Sequence, residues 1–552
     1  MPRASVLYPG LMTALLGVAG AAAVQAQPPD LILTNGKIIT VDDQFSIAQA
    51  VAVRGEWIVA VGTDAAVGAL AGADTRRMDL QGRAVVPGMI DNHAHFMEEG
   101  AYWLSEHRLD GSESRTRAVA MMRARAAELG PGGWVFTLGG WSPDQFADDD
   151  SPFTREELDA VAPDNPVLLQ FTRCCTYLNS RAIEALGLQD MDAPWIERDG
   201  NGRATGVIDA AGANRLTRHL VAVPPEPELE AGGLAMIADL NRAGITSSGG
   251  ACQFPEMYRR WQREGRLGMR FFCFRTVNGG ARAPDEVDAV IAGIPQLEYF
   301  QGDNWIDYVN WGERLYNVND NMTDFEPTVE AGQFEHWGRI ARAAAEAGIP
   351  IFIHSTLEPT IEGQLREVEA IARDYPIKTM RWTFKHMEQV TPDQLERMKR
   401  LGMYVGVHPR ATIMGGIYLR VHGERGYHMP PLKTIQDSGI LWGLGTDAFE
   451  VNQYRPFTTL WWAVTGKMVG GRIVNREPVS REQALIAHTR NNALFFFREN
   501  ELGSIAPGKL ADLLVLDRDY LTVPADEIKD INPVITMVGG RIVFDAGELD
   551  AG

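Results

Sequence analysis

The stretch Val85-Val86-Pro87-Gly88-Met89-Ile90-Asp91-Asn92-His93-Ala94-His95 decides how this chain is read. It is a short apolar strand running into His-Ala-His. Side chains alternate along a strand, so His93 and His95 project to one side. That spacing suits two nitrogen ligands on one metal ion. A bland alternative stands beside it. Histidine fills 11 of 552 positions, so an HxH pattern arises by chance in about one such chain in five. The rest of the chain has to decide.

Downstream, from 84 to 497, apolar runs of strand length alternate with helical patterns. With the opening strand at 84–93, strands are expected near 244–250, 269–277, 305–311, 350–355, 381–387, 403–408 and 440–446. Helical stretches such as 330–348 and 391–402 lie between them. Alternation of this kind predicts an α/β fold with a parallel sheet, and eight units predict a closed (β/α)8 TIM barrel. Chemistry in such barrels sits where strands end. The fifth strand ends in His354, the sixth in His386 and the eighth in Asp447. A single histidine after an apolar strand usually caps a helix or finds a core partner. Several at the same end of separate strands, joined by a carboxylate, read as a metal site.

Imidazole and carboxylate suit zinc or a similar divalent ion. Water bound to such an ion becomes a nucleophile near neutral pH. Asp447 is placed to accept the water's proton and return it to a leaving group, so Asp447 and His386 are the catalytic candidates. His408 and Arg410 follow the seventh strand as substrate-binding candidates. A guanidinium there grips a substrate carboxylate, or else forms a structural ion pair. Tyr454, after Asp447, is placed along the pocket. Trp141, with Phe146 and Phe153, forms either an apolar lid or the core of an insert.

Both ends of the chain differ from this pattern. Residues 27–83 and 498–552 are rich in short alternating strands punctuated by Gly and Asp, and read as one small β unit enclosing the barrel segment at 84–497. Residues 100–230 form a long insert, expected as a lid or subdomain over the barrel mouth. Residues 1–26 have an apolar run after Arg3 and a small-residue stretch ending Val24-Gln25-Ala26, which predicts a cleaved secretory signal and a periplasmic or secreted protein. No other run is long enough to span a bilayer, so no membrane association is expected of the mature chain. A net charge of −20 argues against nucleic acid. A small-molecule substrate is the expected partner, with homo-oligomers allowed. Four cysteines make no disulfide framework. The vicinal Cys174-Cys175 pair is not expected to close on itself, and export makes a Cys252–Cys273 bond possible, a pairing the sequence leaves open.

With these motifs assembled, the chain resembles the amidohydrolase superfamily, specifically its family-3 group of extended, often exported enzymes. The resemblance rests on Pro87-Gly88-Met89-Ile90-Asp91-Asn92-His93-Ala94-His95, Ile353-His354-Ser355-Thr356, Lys385-His386 and Gly445-Thr446-Asp447-Ala448. The tail Gly503-Ser504-Ile505-Ala506-Pro507-Gly508-Lys509-Leu510-Ala511-Asp512-Leu513 adds to it, as do Asn179-Ser180 and Thr205-Gly206. It implies a metal-bearing barrel, a β-sandwich built from both termini, and hydrolysis of C–N bonds in amides, cyclic amides, ureas or amidines. Many relatives carry a lysine after the fourth strand that bridges two metals. Here that stretch has none, and Glu313 follows the strand instead, either bridging two ions, bonding substrate or lying in a surface ion pair. One or two divalent ions per chain are therefore expected, held by His93, His95, His354, His386, Asp447 and Glu313. Cys174, where relatives often have His, and the displaced Asp209 are further departures. Two other readings are kept open: an ester or lactone hydrolase using the same activated water, and a non-catalytic binding protein on the same barrel.

Overall fold

The computed structural model describes residues 27–96, 100–172, 175–210, 212–213, 216, 224–316 and 332–549. The expected leader at 1–26 lies outside them, as do Cys174 and His219.

Eight short strands carry the centre of the molecule: β1 (Met89–Asp91), β2 (Ile245–Ala251), β3 (Arg270–Phe274), β4 (Ile306–Asn310), β5 (Phe352–Ser355), β6 (Thr383–His386), β7 (Tyr404–Val407) and β8 (Trp442–Leu444). They form two four-stranded parallel sheets, one of β1 to β4 and one of β5 to β8, each in sequential order. A parallel bridge between Trp311 and Ile351 links the end of β4 to the start of β5. A second, between Ala94 and Ala448, links the continuations of β1 and β8. Helices stand between the strands, so the sheets are covered and the architecture is TIM-barrel-like.

Local sequence explains these elements. β3 reads Arg-Phe-Phe-Cys-Phe and is buried throughout, as a strand covered on both faces must be. The helix Gln333–Glu346 buries Trp337, Ile340, Ala341 and Ala344, one stripe at helical spacing. The helix Pro392–Arg400 starts on a capping box, with the Thr391 hydroxyl and the Gln394 side chain satisfying each other's backbone N–H groups. Trp461 and Trp462 are core, as their helical context suggests.

The opening strand is not continuous. Ala84–Pro87 belongs to a six-stranded sheet with Lys37–Ile39, Ile47–Ala48, Leu513–Leu516, Pro533–Val538 and Arg541–Asp545. Only Met89–Asp91 enters the barrel-like sheet. The break is Gly88, where an added Cβ would lie 2.2 Å from Thr246 Oγ1 on β2, so any side chain there would force the two strands apart. A four-stranded sheet of Leu31–Thr34, Ala50–Arg54, Trp57–Gly62 and Arg76–Asp79 lies against the six-stranded one. Leu31, Val51 and Met78 of the first share one apolar cluster with Ile38, Val85 and Leu513 of the second. The Leu-Ala-Asp of the tail ties this unit to the centre. Asp512 accepts two 2.8 Å hydrogen bonds from Arg270 of β3, and the guanidinium stacks 4.4 Å over Trp305.

The insert has a sheet of its own, in the order Ile196–Arg198, Ala204–Ile208, Cys175–Leu178, Val167–Phe171, Val135–Thr137. It meets the rim after β7 and β8. Ser142 Oγ donates to Ile413 O, and Gly140 N donates to Glu450 O at 2.8 Å. The pairing that the sequence left open is formed: Cys252 and Cys273 are disulfide-bonded, with Cα atoms 5.3 Å apart. Parallel pairing of β2 with β3 sets Gly250 beside Cys273, which a spacing of 21 residues in the sequence does not reveal. Cys175 is also disulfide-bonded. Among the described residues no helix is long and apolar enough to cross a membrane.

Candidate metal centre

The ends of β1, β5, β6 and β8 bring the expected ligands together. Asp91 pins the first of them: its carboxylate accepts the N–H groups of His93 and Thr446 and the Thr446 hydroxyl, joining the end of β1 to that of β8. Asp447 N donates to His93 O at 3.0 Å. β6 and β8 end in the left-handed region, with φ of 76° at His386 and 58° at Asp447. Such backbone is strained for residues other than glycine and is held by the surrounding structure, commonly at functional sites.

Two groups of three donors result, and they share His93. One is His93, Glu313 and His386; the other is His93, His95 and Asp447. Glu313 Oε2 lies 2.9 Å from His386 Nε2, 3.1 Å from His354 Nδ1 and 3.3 Å from His93 Nε2. Asp447 Oδ1 lies 3.2 Å from His95 Nε2 and 3.4 Å from His93 Nε2. Two ligand atoms bound about 2.05 Å from one tetrahedral ion stand about 3.3 Å apart, so these separations fit ligands on a common ion. His93 supplies a second test. Both its ring nitrogens are buried without a hydrogen bond, which costs about 1–3 kcal/mol per group unless a ligand satisfies them. The residues present therefore fit a divalent ion, and Glu313 stands between His93, His354 and His386 as a shared carboxylate.

Electrostatics support anionic oxygens and a neutral His386. Burial works to raise the Glu313 carboxyl, but His354, His93 and His386 outweigh it and hold it well below the usual range. Burial opposes ionisation of Asp447 too, yet His386, His93, His95 and Arg410 together leave it far below. His386 is pushed well down by burial and by Arg410 and His354, so its ring is held neutral.

The substrate-side candidates fall differently. Arg410 is 4% exposed and is held by Glu388, with Nε 2.8 Å and Nη2 2.7 Å from its Oε1. Its Nη1 lies 3.5 Å from Asp447 Oδ2. Most of its fork is spent on a buried carboxylate rather than left for a substrate. His408 is fully buried behind His386, with Nδ1 2.9 Å from His386 Nδ1, so it backs the ligand instead of facing the mouth. Trp141 is core of the insert: its Nε1 donates to Thr137 Oγ1 and Gln170 O, and Phe146, Phe153 and Phe171 pack around it. Tyr454 packs with Trp103 and Phe449 around the Arg108 guanidinium, where the insert meets the loop after β8. Asp307, mid-strand, pairs with Arg498 at 2.6 Å. Sequence reasoning missed Asn92, Glu388 and Asn492. Their partners lie 300 to 400 residues away or on another strand, and no local pattern marks them.

The model of the Amidohydrolase family matches residues 76–544. The N-substituted formamide deformylase of Arthrobacter pascens is 28% identical over 94% of this chain and 99% of its own length. An uncharacterized metal-dependent hydrolase from Pyrococcus furiosus superposes with a TM-score of 0.61 at 22% identity, covering 89% of this chain and 100% of that one. An adenosine deaminase from Xanthomonas campestris, solved with bound zinc, superposes with a TM-score of 0.54 at 14% identity over 95% of each chain. With a family match across most of its length, and with metal-capable residues gathered at the strand ends, the chain belongs to the amidohydrolase family.

Proposed function

We propose that the chain is a metal-dependent hydrolase of a non-peptide C–N bond in a small amide, with N-substituted formamides as the first substrates to test. The observation that carries this reading is the pair of donor groups sharing His93. His93, His95 and Asp447 would hold one zinc-like ion, and Glu313, His354 and His386 would hold a second. The substrate class is suggested by the deformylase of Arthrobacter pascens, which aligns with nearly the whole chain.

Bound there, the ion supplies Lewis-acid polarisation of the amide carbonyl and acidifies water. The chain's own residues supply the rest. Asp447 Oδ2 faces Arg410 and His386 at 3.5 Å, which keeps the carboxylate ionised and aimed. It takes a proton from the attacking water and delivers it to the leaving nitrogen, without which an amine is too poor a leaving group. Glu388 holds Arg410, so Arg410 tunes Asp447 and does not compete for substrate.

The same reading takes the two parallel sheets as one closed (β/α)8 barrel, at 84–497, and the terminal sheets as a β-sandwich of 27–83 and 498–552. Residues 100–230 are its lid subdomain. It also takes the chain as exported. The 1–26 leader and the Cys252–Cys273 bond support that, since disulfides persist in oxidising compartments.

The test joins metal analysis to a substrate panel of N-substituted formamides, simple N-acyl amides, hydantoins and lactones. One to two zinc-class ions per chain are expected, with activity lost to a chelator and restored by zinc. Full activity in metal-free protein would overturn the mechanism. Turnover of lactones alone would move the reading to ester hydrolysis.

A further inference from the structure

Asn492, Asn92, Lys385, His408 and His386 form one buried chain of hydrogen bonds whose direction can be deduced link by link. Backbone carbonyls only accept. Asn492 Nδ2 lies 2.6 Å from Ile90 O and 2.5 Å from Leu444 O, so that end is the NH2 group and Asn492 Oδ1 faces Asn92. Asn492 Oδ1 is 2.9 Å from Asn92 Nδ2, which must donate. Asn92 Oδ1 then faces Lys385 Nζ at 2.8 Å and His408 Nε2 at 2.9 Å and accepts from both. His408 Nε2 therefore carries a proton.

The other nitrogen of that ring, His408 Nδ1, is 2.9 Å from His386 Nδ1. Two nitrogens at this distance share one proton. A neutral His408 has its proton on Nε2 already, so the shared one belongs to His386 Nδ1. His386 Nε2 is left as a bare lone pair, 2.9 Å from Glu313 Oε2, which brings no proton either. Two lone-pair atoms that close repel unless a cation stands between them. A doubly protonated His408 is the alternative. It would be a cation in a fully buried position, sharing one amide oxygen with the Lys385 amine.

We propose that His408 is a positioning residue: acting between Asn92 and His386, it sets the tautomer that presents an unprotonated His386 Nε2 to the ion. This rests on the metal-hydrolase reading above. The polarity originates in two backbone carbonyls, at Ile90 beneath the first ligands and Leu444 beneath Asp447. Lys385 Nζ also meets Asn92 O at 3.0 Å, so it anchors Asn92 through both of its oxygens. The hydrogen bond behind a ligating histidine commonly fixes its tautomer and raises its basicity, and losing it costs about 10- to 100-fold in metal affinity. Here the partner is a second imidazole, whose Nδ1 lies 2.9 Å from His386 Nδ1.

Zinc affinity is measured by chelator competition on folded wild type, His408→Leu, His408→Lys and His408→Gln, with the melting temperature of each metal-free protein recorded alongside. Leucine offers no acceptor and lysine offers only donors, so both variants should bind zinc about 10- to 100-fold more weakly. Glutamine offers one donor and one acceptor and should restore most of the affinity. A merely structural role would lower the melting temperatures and leave the affinities equal, and that result overturns the proposal. Should the variants fold poorly, 15N spectra of zinc-loaded wild type labelled in histidine decide: protons on His386 Nδ1 and His408 Nε2 are expected, and a proton on His408 Nδ1 refutes it. A wild type that binds no zinc would instead refute the metal reading itself.

Discussion

Replacing Asp447 by asparagine removes one proton-accepting oxygen and its negative charge. The side chain keeps its shape, and asparagine tolerates the left-handed backbone at this position about as well as aspartate does. The hydrogen bond from residue 447 N to His93 O and the bridge between Ala94 and Ala448 involve backbone alone, so β1 and β8 stay joined. What changes is the oxygen 3.2 Å from His95 Nε2 and 3.4 Å from His93 Nε2, and its twin 3.5 Å from Arg410 Nη1. A carboxamide still offers a carbonyl oxygen to an ion but cannot hold a transferred proton. Positioned acid–base catalysis is worth about 10²- to 10⁴-fold, which is about 2.7–5.4 kcal/mol of barrier at 1.36 kcal/mol per decade. Arg410 keeps its pair with Glu388, so no buried guanidinium is stranded and the fold should survive. The assay is kcat at saturating substrate on zinc-loaded protein, with bound metal counted in the same sample. The expected result is a fall in kcat by that factor with KM little changed. A kcat within a few-fold of wild type at full metal content would refute Asp447 as proton carrier. A loss of activity that only tracks lost metal would leave it a ligand and nothing more.

Glu313→Gln should reduce bound zinc from two ions towards one, because one oxygen serves three imidazoles; an unchanged count by elemental analysis would deny it a bridging role. Asp512→Ala strands the fully buried Arg270 guanidinium and should cost about 3–5 kcal/mol in urea unfolding, most of it recovered in Arg270→Met/Asp512→Leu; a single-variant loss under about 1 kcal/mol would put the pair's weight elsewhere. Burial holds the Asp110 carboxyl up at about 6 despite Arg108 beside it. The folded state thus binds this proton more tightly than the unfolded state, and stability falls as pH rises from about 4 through about 6. Asp110→Asn should be more stable than wild type at pH 8, by up to about 3 kcal/mol for a shift of about two units, and the gap should shrink by about half at pH 5; equal gaps at both pH values would refute it.

The candidate ligands were legible because the central strands are apolar runs and a histidine or aspartate at their end stands out. His93, His95, His354, His386 and Asp447 each close such a run. Their supports were not. Asn92 reads as one polar residue between two others, yet its two ends meet Asn492 and His408. His408 and Arg410 follow a strand as substrate-binding residues do, but burial turned one towards His386 and the other towards Glu388. The Cys252–Cys273 bond depends on parallel register between β2 and β3, which a sequence does not carry.

For the opening motif the division is clear. Period-two alternation and an apolar run are local properties, so the sequence by itself determined that a strand arrives at 93 with two imidazoles to offer. It also determined, through apolar strands alternating with helical patterns, that further strands deliver His354, His386 and Asp447 to the same rim. Only the tertiary structure decided that the strand breaks at Gly88 against Thr246, that a Glu313 oxygen lies against three histidines, and that His408 faces His386. Those outcomes depend on distances between residues far apart in the chain, and packing alone sets such distances.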